Sequence, residues 1–320
     1  MPNGDLHREP AGAATSLDPD APGHAILNLV RPETWRAPLI VASPHSGQHY
    51  PPDFLASTGL TQQELRLSED CYVDELVSAA PDKGVPLLAA LFPRSFCDVN
   101  REPLELDPAM FSDRLPADAN TASPRVAAGL GVVPRLGAND REIYRRKLSF
   151  AEAEARLAGY YRPYHAALNA LCNEAVEKFG ACLILDCHSM PSVGGPNERG
   201  LGEARGLGGH GRVDFVLGDC FGASCAPAVT AAVDAYLRAG GANMRRNSPY
   251  SGGYVTQHYG RPATGVHVLQ VEINRALYVD ETTLVRKPGF GALVADLTTF
   301  VASLARHVED YGAYLPLAAE

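Results

Sequence analysis

The chain has 320 residues, 46% of them hydrophobic, and a formal net charge of −9, so it can bury a substantial core as one large α/β domain or two small ones. The negative balance argues against nucleic acid and anionic membrane as partners, and no apolar run approaches the ~20 residues of a membrane span. Seven scattered cysteines with no C-x-x-C pair fit reduced thiols in a cytoplasmic protein rather than a disulfide framework.

Residues 1–23, rich in Ala, Pro, Asp and Gly, lack the basic-then-apolar order of a signal peptide. They are expected to form a flexible N-terminal extension, with 24–320 a single catalytic α/β domain. The run 37–43 reads as the first core strand and passes into a loop, Pro44-His45-Ser46-Gly47, that Pro and Gly keep irregular. Thr61 and Glu64 have capping-box spacing, and Leu65, Tyr72, Leu76 and Val77 continue one helical face as far as Pro81. A second strand is expected over 84–92. Arg94-Ser-Phe-Cys-Asp98-Val-Asn100-Arg101 is too dense in polar groups for a core strand. The Pro-, Gly- and Ala-rich stretch 104–139 is too long for an idle connection and is predicted to cover substrate.

Ser149 and Glu152 form a second capping box, and Leu157, Tyr161, Tyr164, Leu168, Leu171 and Ala175 recur at helical spacing up to Gly180, with Pro163 predicted to kink or divide the helix. The run from Ala181 to Leu185 reads as a strand buried on both faces, and it ends in Asp186, Cys187, His188 and Ser189. The glycine-rich stretch 194–211 has no G-x-G-x-x-G between a strand and a helix and is not read as a nucleotide site. A strand over 213–217, a helix over 224–239, a strand within 266–275 and a last helix over 288–307 complete the chain. Strands alternating with long helices predict a three-layer α/β/α sandwich.

Polar clusters at strand ends mark where open α/β sheets place chemistry. A hydrolytic zinc site needs three protein ligands, a carboxylate to take a proton from water, and cationic donors for a developing oxyanion. His45 and His188 are the candidate imidazole ligands, Asp70 the candidate carboxylate ligand, and Glu272 the candidate base. Asp74, one turn after Asp70, is an equally placed carboxylate, and either could be a first-turn acid that suits a helix dipole. Glu272 could form a structural ion pair, and Arg94, Asp98 and Arg101 a buried salt-bridge network. Cys187, next to His188 on a strand, points to the opposite face, so a thiol mechanism would need another histidine. Asp186 is expected to orient a ligand rather than bind metal, and His49 and His267 are expected to be structural.

Together with Gly252-Gly-Tyr254-Val-Thr-Gln-His258-Tyr-Gly and Gln270-Val-Glu272-Ile-Asn274-Arg275-Ala-Leu-Tyr278, these motifs make the chain resemble the N-formylglutamate amidohydrolase (N-formylglutamate deformylase) family from about Leu39 to Tyr278. The resemblance implies a mixed, largely parallel central sheet related to the zinc carboxypeptidases and aspartoacylase, one Zn2+ per chain, and hydrolysis of a linear amide C–N bond. The reaction it implies converts N-formyl-L-glutamate to formate and L-glutamate in histidine degradation. It assigns Asn100 and Arg101 to a substrate carboxylate, Arg94 to the carbonyl oxygen and Glu272 to the base. Arg275, or an arginine of segment 140–146, is then the candidate for the second carboxylate. The wider group pairs its ligands as His-x-x-Glu, but Gln48 stands three after His45, so the carboxylate ligand must come from elsewhere. Competing readings are an N-acyl amino acid deacylase of different specificity and a non-catalytic dicarboxylate-binding protein.

Overall fold

Successive residues of a strand face opposite sides of its sheet, and here apolar residues on both sides are covered. The computed structural model describes residues 25–192 and 213–311; the expectations for residues 1–23 and for the glycine-rich stretch 194–211 fall outside them. Its strands are β1 (Leu27–Val30), β2 (Leu39–Ser43), β3 (Leu87–Ala90), β4 (Cys182–Met190), β5 (Phe215–Gly218), β6 (Met244–Arg246) and β7 (Val266–Asn274). They form one sheet in the order β1-β3-β2-β4-β7-β5-β6. The central strands β3, β2, β4 and β7 run parallel, whereas β1 pairs antiparallel to β3 and β5 antiparallel to β7.

The helices are α1 (Pro52–Ser57), α2 (Gln62–Arg66), α3 (Val73–Leu76), α4 (Pro124–Ala127), α5 (Phe150–Arg156), α6 (Arg162–Phe179), α7 (Pro227–Ala239), α8 (Tyr254–Tyr259) and α9 (Phe290–Tyr311). Ile40, Ala42, Cys182, Ile184 and Val268 pack with Tyr164, Leu168, Leu171 and Ala175 of α6 on one face. Leu39, Val41, Leu183, Leu185, Leu269 and Val271 pack with Val229 and Val233 of α7 and Leu297, Phe300 and Val301 of α9 on the other.

Several local expectations change. The helix expected to run from Thr61 through Val77 breaks in two. Thr61 does cap α2 through its capping box, but the backbone amide of Asp70 bonds the His45 carbonyl at 3.0 Å instead of continuing the helix, and Tyr72 takes a left-handed φ of 63°. The expected kink falls just ahead of Pro163. Residues 157–161 wind as a π-helical turn before α6, which widens the backbone where the proline ring would meet the carbonyl four residues back. Strand β1 has no counterpart in the sequence reading, because three of its four residues are exposed and it shows no apolar alternation. The second strand is shorter than 84–92, and residues 94–101 form turns.

Candidate metal centre

Parity along β4 separates chemistry from core. Cys182 and Ile184 point into the α6 layer, so Asp186 and His188 follow on that same face. Cys187 packs in the opposite layer with Leu183 and Leu185. Burial pushes the Cys187 thiol up, so it offers no nucleophile to the site. Strand β7 lies in parallel register, with Asp186 beside Gln270 and His188 beside Glu272. Loops after β2 and β3 bring His45 and the 94–101 turns to the same end of the sheet, and the break between α2 and α3 brings Asp70.

His45, Asp70 and His188 meet there, with one ligand atom of each lying within 4.8 Å of the others. His188 Nδ1 is 2.9 Å from Asp70 Oδ2, and His45 Nδ1 is 3.4 Å from the same oxygen. The far nitrogen of each ring is held by another carboxylate: His45 Nε2 by Asp98 Oδ1 at 2.7 Å, and His188 Nε2 by Asp186 Oδ2 at 3.0 Å. A carboxylate on Nε2 fixes the tautomer that presents an unprotonated Nδ1 to a cation. All three residues are at most 3% exposed, and His45 Nδ1 is a buried polar atom with no hydrogen-bond partner. A buried nitrogen left unpaired beside a carboxylate and a second imidazole is what a divalent cation would satisfy, and a His2Asp donor set suits zinc. The residues fit the metal.

The surroundings set the charges. Burial would raise the Asp70 carboxyl, but the hydrogen bond with His188, the nearby His45 ring and the Arg94 charge hold it well below the usual range. Asp98 is held low against burial by Arg101, His45 and Arg94. Burial would lower His188, but the charge and hydrogen bond of Asp186, with the bond to Asp70, hold it well above the ordinary imidazole value in the metal-free site. Glu272 accepts from Gln270 Nε2 at 2.9 Å. Burial, reinforced by Asp70 and opposed by His188 and Arg94, pushes it up to about 7.

Other expected site residues converge with distinct occupations. Arg94 bonds Asp98 at 2.9 Å and stands 3.8 Å from Asp70. Asn100 Oδ1 accepts the Val255 amide at 2.8 Å, and its Nδ2 lies 3.2 Å from His188 Nε2. Arg101 donates to the carbonyls of Leu130 and Asn100, both at 2.8 Å. Arg275 spends its donors on Ser189 Oγ, the Leu67 carbonyl and Asp70 Oδ1, so its geometry is that of a brace for Asp70. Asp74 sits outside the group, its carboxyl raised by burial. In segment 140–146, Arg141 pairs with Glu64 and Arg146 with Glu152, and none of its arginines lines the cavity. His267 accepts the Ala226 amide at 3.2 Å, a structural place.

These groups line a cavity of about 500 Å³. Residues of the 104–139 stretch, including Arg125, Leu130 and Leu136, form part of its wall, and so do Pro249 to Gly253. The turn before α8 approaches closely: a Cβ on Gly253 would lie 2.3 Å from the Asn100 amide. Arg125 did not stand out in the sequence, because an arginine among Pro and Ala carries no pattern until a fold places it, and Gln270, quoted only as part of a motif, had no role until it was seen to donate to Glu272.

The N-formylglutamate amidohydrolase family model matches residues 37–279. The chain is 30% identical over 250 residues to the N-formylglutamate deformylase of Pseudomonas aeruginosa, covering 77% of this chain and 84% of that protein. It is 28% identical over 251 residues to the deformylase of Pseudomonas putida, with the same coverage of each. The crystal structure of N-formylglutamate amidohydrolase from Ralstonia eutropha superposes with a TM-score of 0.81 at 38% identity, covering 89% of this chain and 99% of that one. A gene product of Agrobacterium tumefaciens, at 16% identity and a TM-score of 0.62 over 89% of this chain and 96% of its own, shares the fold.

Proposed function

The chain belongs to the N-formylglutamate amidohydrolase family, and on that premise we propose that it hydrolyses N-formyl-L-glutamate to formate and L-glutamate with one zinc ion held by His45, Asp70 and His188. The observation that carries this reading is the meeting of those three ligand atoms beside Glu272, which pairs in register with His188 across β4 and β7. Bound there, zinc would acidify water and polarise the formyl oxygen.

The chain's own groups divide the remaining work. Glu272, buried and raised toward neutrality, takes the proton of the attacking water and returns it to the departing glutamate nitrogen, which a carboxylate does best when its affinity for the proton is intermediate. Arg94 donates to the oxyanion as it forms. Arg101 with Asn100 receives the substrate carboxylate beside the scissile amide, a role for which a planar guanidinium is suited. Arg275 holds Asp70 in place from the other side. Asp98 and Asp186 fix the two imidazoles.

The reading extends to a single catalytic unit over 24–320 with an N-terminal extension of 23 residues, a sheet of the zinc carboxypeptidase and aspartoacylase kind, and a cytoplasmic place in histidine degradation. Seven free cysteines support a reducing compartment. The test is formate release from N-formylglutamate against N-formylaspartate and deacylation of N-acetylglutamate, with metal analysis on the same sample. About one equivalent of zinc and chelator-sensitive formate release are expected; full activity in verified metal-free protein would remove the metal from the mechanism.

A further inference from the structure

Four arginines face the cavity, and three of them already have partners. Arg94 pairs with Asp98, Arg101 donates to two backbone carbonyls, and Arg275 is spread over Asp70, Ser189 and Leu67. Arg125 lines the same cavity, yet no hydrogen bond or ion pair engages its guanidinium among the described residues.

Its segment is nonetheless held firmly. Ser123 Oγ accepts the Val126 amide at 3.0 Å and donates to the buried Glu105 carboxylate at 2.5 Å. The Leu130 amide closes onto the Arg125 carbonyl and the Val132 amide onto the Glu105 carbonyl, both at 2.8 Å. A Cβ on Gly131 would lie 2.2 Å from the Glu105 carbonyl oxygen, so the segment is pressed against Glu105 where only glycine fits. A long cationic side chain without a partner among the described residues, on a braced segment, lines a cavity that Arg101 also lines.

Arg125 and Arg101 repel one another. Burial, aided by the charges of Arg94 and Arg125, brings the Arg101 guanidinium down to about 10 despite Asp98. Asp98, 3.8 Å from Arg101, is shared with Arg94, so the arginines outnumber it and favour an anion between Arg101 and Arg125. Leu130 and Leu136 line the cavity from the same segment and offer apolar contact to a short methylene chain.

We propose that Arg125 is the specificity-determining residue for an acidic side chain, taking the distal carboxylate of an N-formyl dicarboxylic amino acid while Arg101 takes the carboxylate next to the scissile amide. This rests on the reaction proposed above and assigns its preference for a dicarboxylic amino acid to one side chain of the 104–139 stretch. N-formylglutamine keeps every atom of the substrate skeleton but removes the distal charge. In Arg125→Gln, the ratio of kcat/KM for N-formylglutamate over N-formylglutamine should fall about 10- to 100-fold, the range of a hydrogen bond to a charged group, with part of the ratio restored in Arg125→Lys.

Calorimetry on the protein as purified gives a second readout that needs no turnover: wild type should bind glutarate more tightly than its monoamide, and Arg125→Gln should lose that preference by the same factor. An unchanged kcat/KM ratio, an equal loss on both substrates, or a glutarate preference that survives the substitution would overturn the assignment. If wild type released no formate from N-formylglutamate, the proposed reaction would fall, and the glutarate titration would still decide the role of Arg125.

Discussion

Glu272 and Asp98 are both buried carboxylates, and their neighbours give them opposite tasks. Asp98 accepts from His45 and Arg94 and is held ionised, so it orients a ring and neutralises a guanidinium. Glu272 has one amide donor and is pushed up to about 7 by burial, so a proton can be exchanged there. Glu272→Gln should therefore lower kcat by about 10²- to 10⁴-fold while zinc content, read by metal analysis, stays at one equivalent; near-normal turnover would exclude it as the base. Asp98→Asn should weaken zinc binding about 10- to 100-fold in competition with a chromophoric chelator. Affinity equal to wild type there would mean that the bond to His45 Nε2 does not orient the ligand.

At the scale of elements, the site depends on how α6 and its preceding turns grip the 94–101 segment. Arg156 donates to the Phe96 carbonyl at 3.1 Å, Tyr161 to the Arg101 carbonyl at 2.8 Å, and His165 Nε2 lies 2.9 Å from the Val99 carbonyl. The Tyr259 hydroxyl of α8 lies 2.9 Å from His165 Nδ1, so one imidazole ties α6, α8 and the Asp98–Arg101 turn together in its neutral form. Burial holds that imidazole down at about 4, against ~6.5 in an unfolded chain. Above pH ~6.5 neither state is protonated there. As pH falls from that value towards 4, the unfolded chain gains a proton that the folded one refuses, and stability drops by about 3 kcal/mol. In His165→Gln, denaturation across this window should show a shallower slope of unfolding free energy with pH, and a slope equal to wild type would deny the linkage.

For the whole molecule, the four parallel strands β3, β2, β4 and β7 bring their C-terminal ends to one edge, where β5 and β1 flank them in the opposite sense. Side chains from loops far apart in sequence meet there: Asp70 and His188 are 118 positions apart, and Arg275 and Asp70 are 205 apart. A cation bound to that arrangement binds the folded chain better than the unfolded one, so it stabilises the fold by mass action. Zinc at ~100 times its Kd should raise the unfolding free energy by about 2.7 kcal/mol, and chelation should reverse the gain. His188→Ala should show no zinc-dependent shift in Tm; a shift like that of wild type would place the metal elsewhere.

The sequence by itself determined the main strands and helices, because apolar periodicity is a local property: the buried run into His188, the two capping boxes at Thr61 and Ser149, and the facing of Cys187 away from His188 were all legible from spacing. It also carried the family, through short motifs in order. Only the tertiary structure brought Asp70 and not Asp74 beside the two histidines, since that depends on a hydrogen bond from the Asp70 amide to a carbonyl 25 positions earlier that breaks an otherwise sound helix. Likewise, only the assembled cavity showed Arg275 turned to Asp70 and Arg125 without a partner among the described residues. Whether a charged side chain has a partner depends on contacts between distant segments, and no local pattern of residues encodes them.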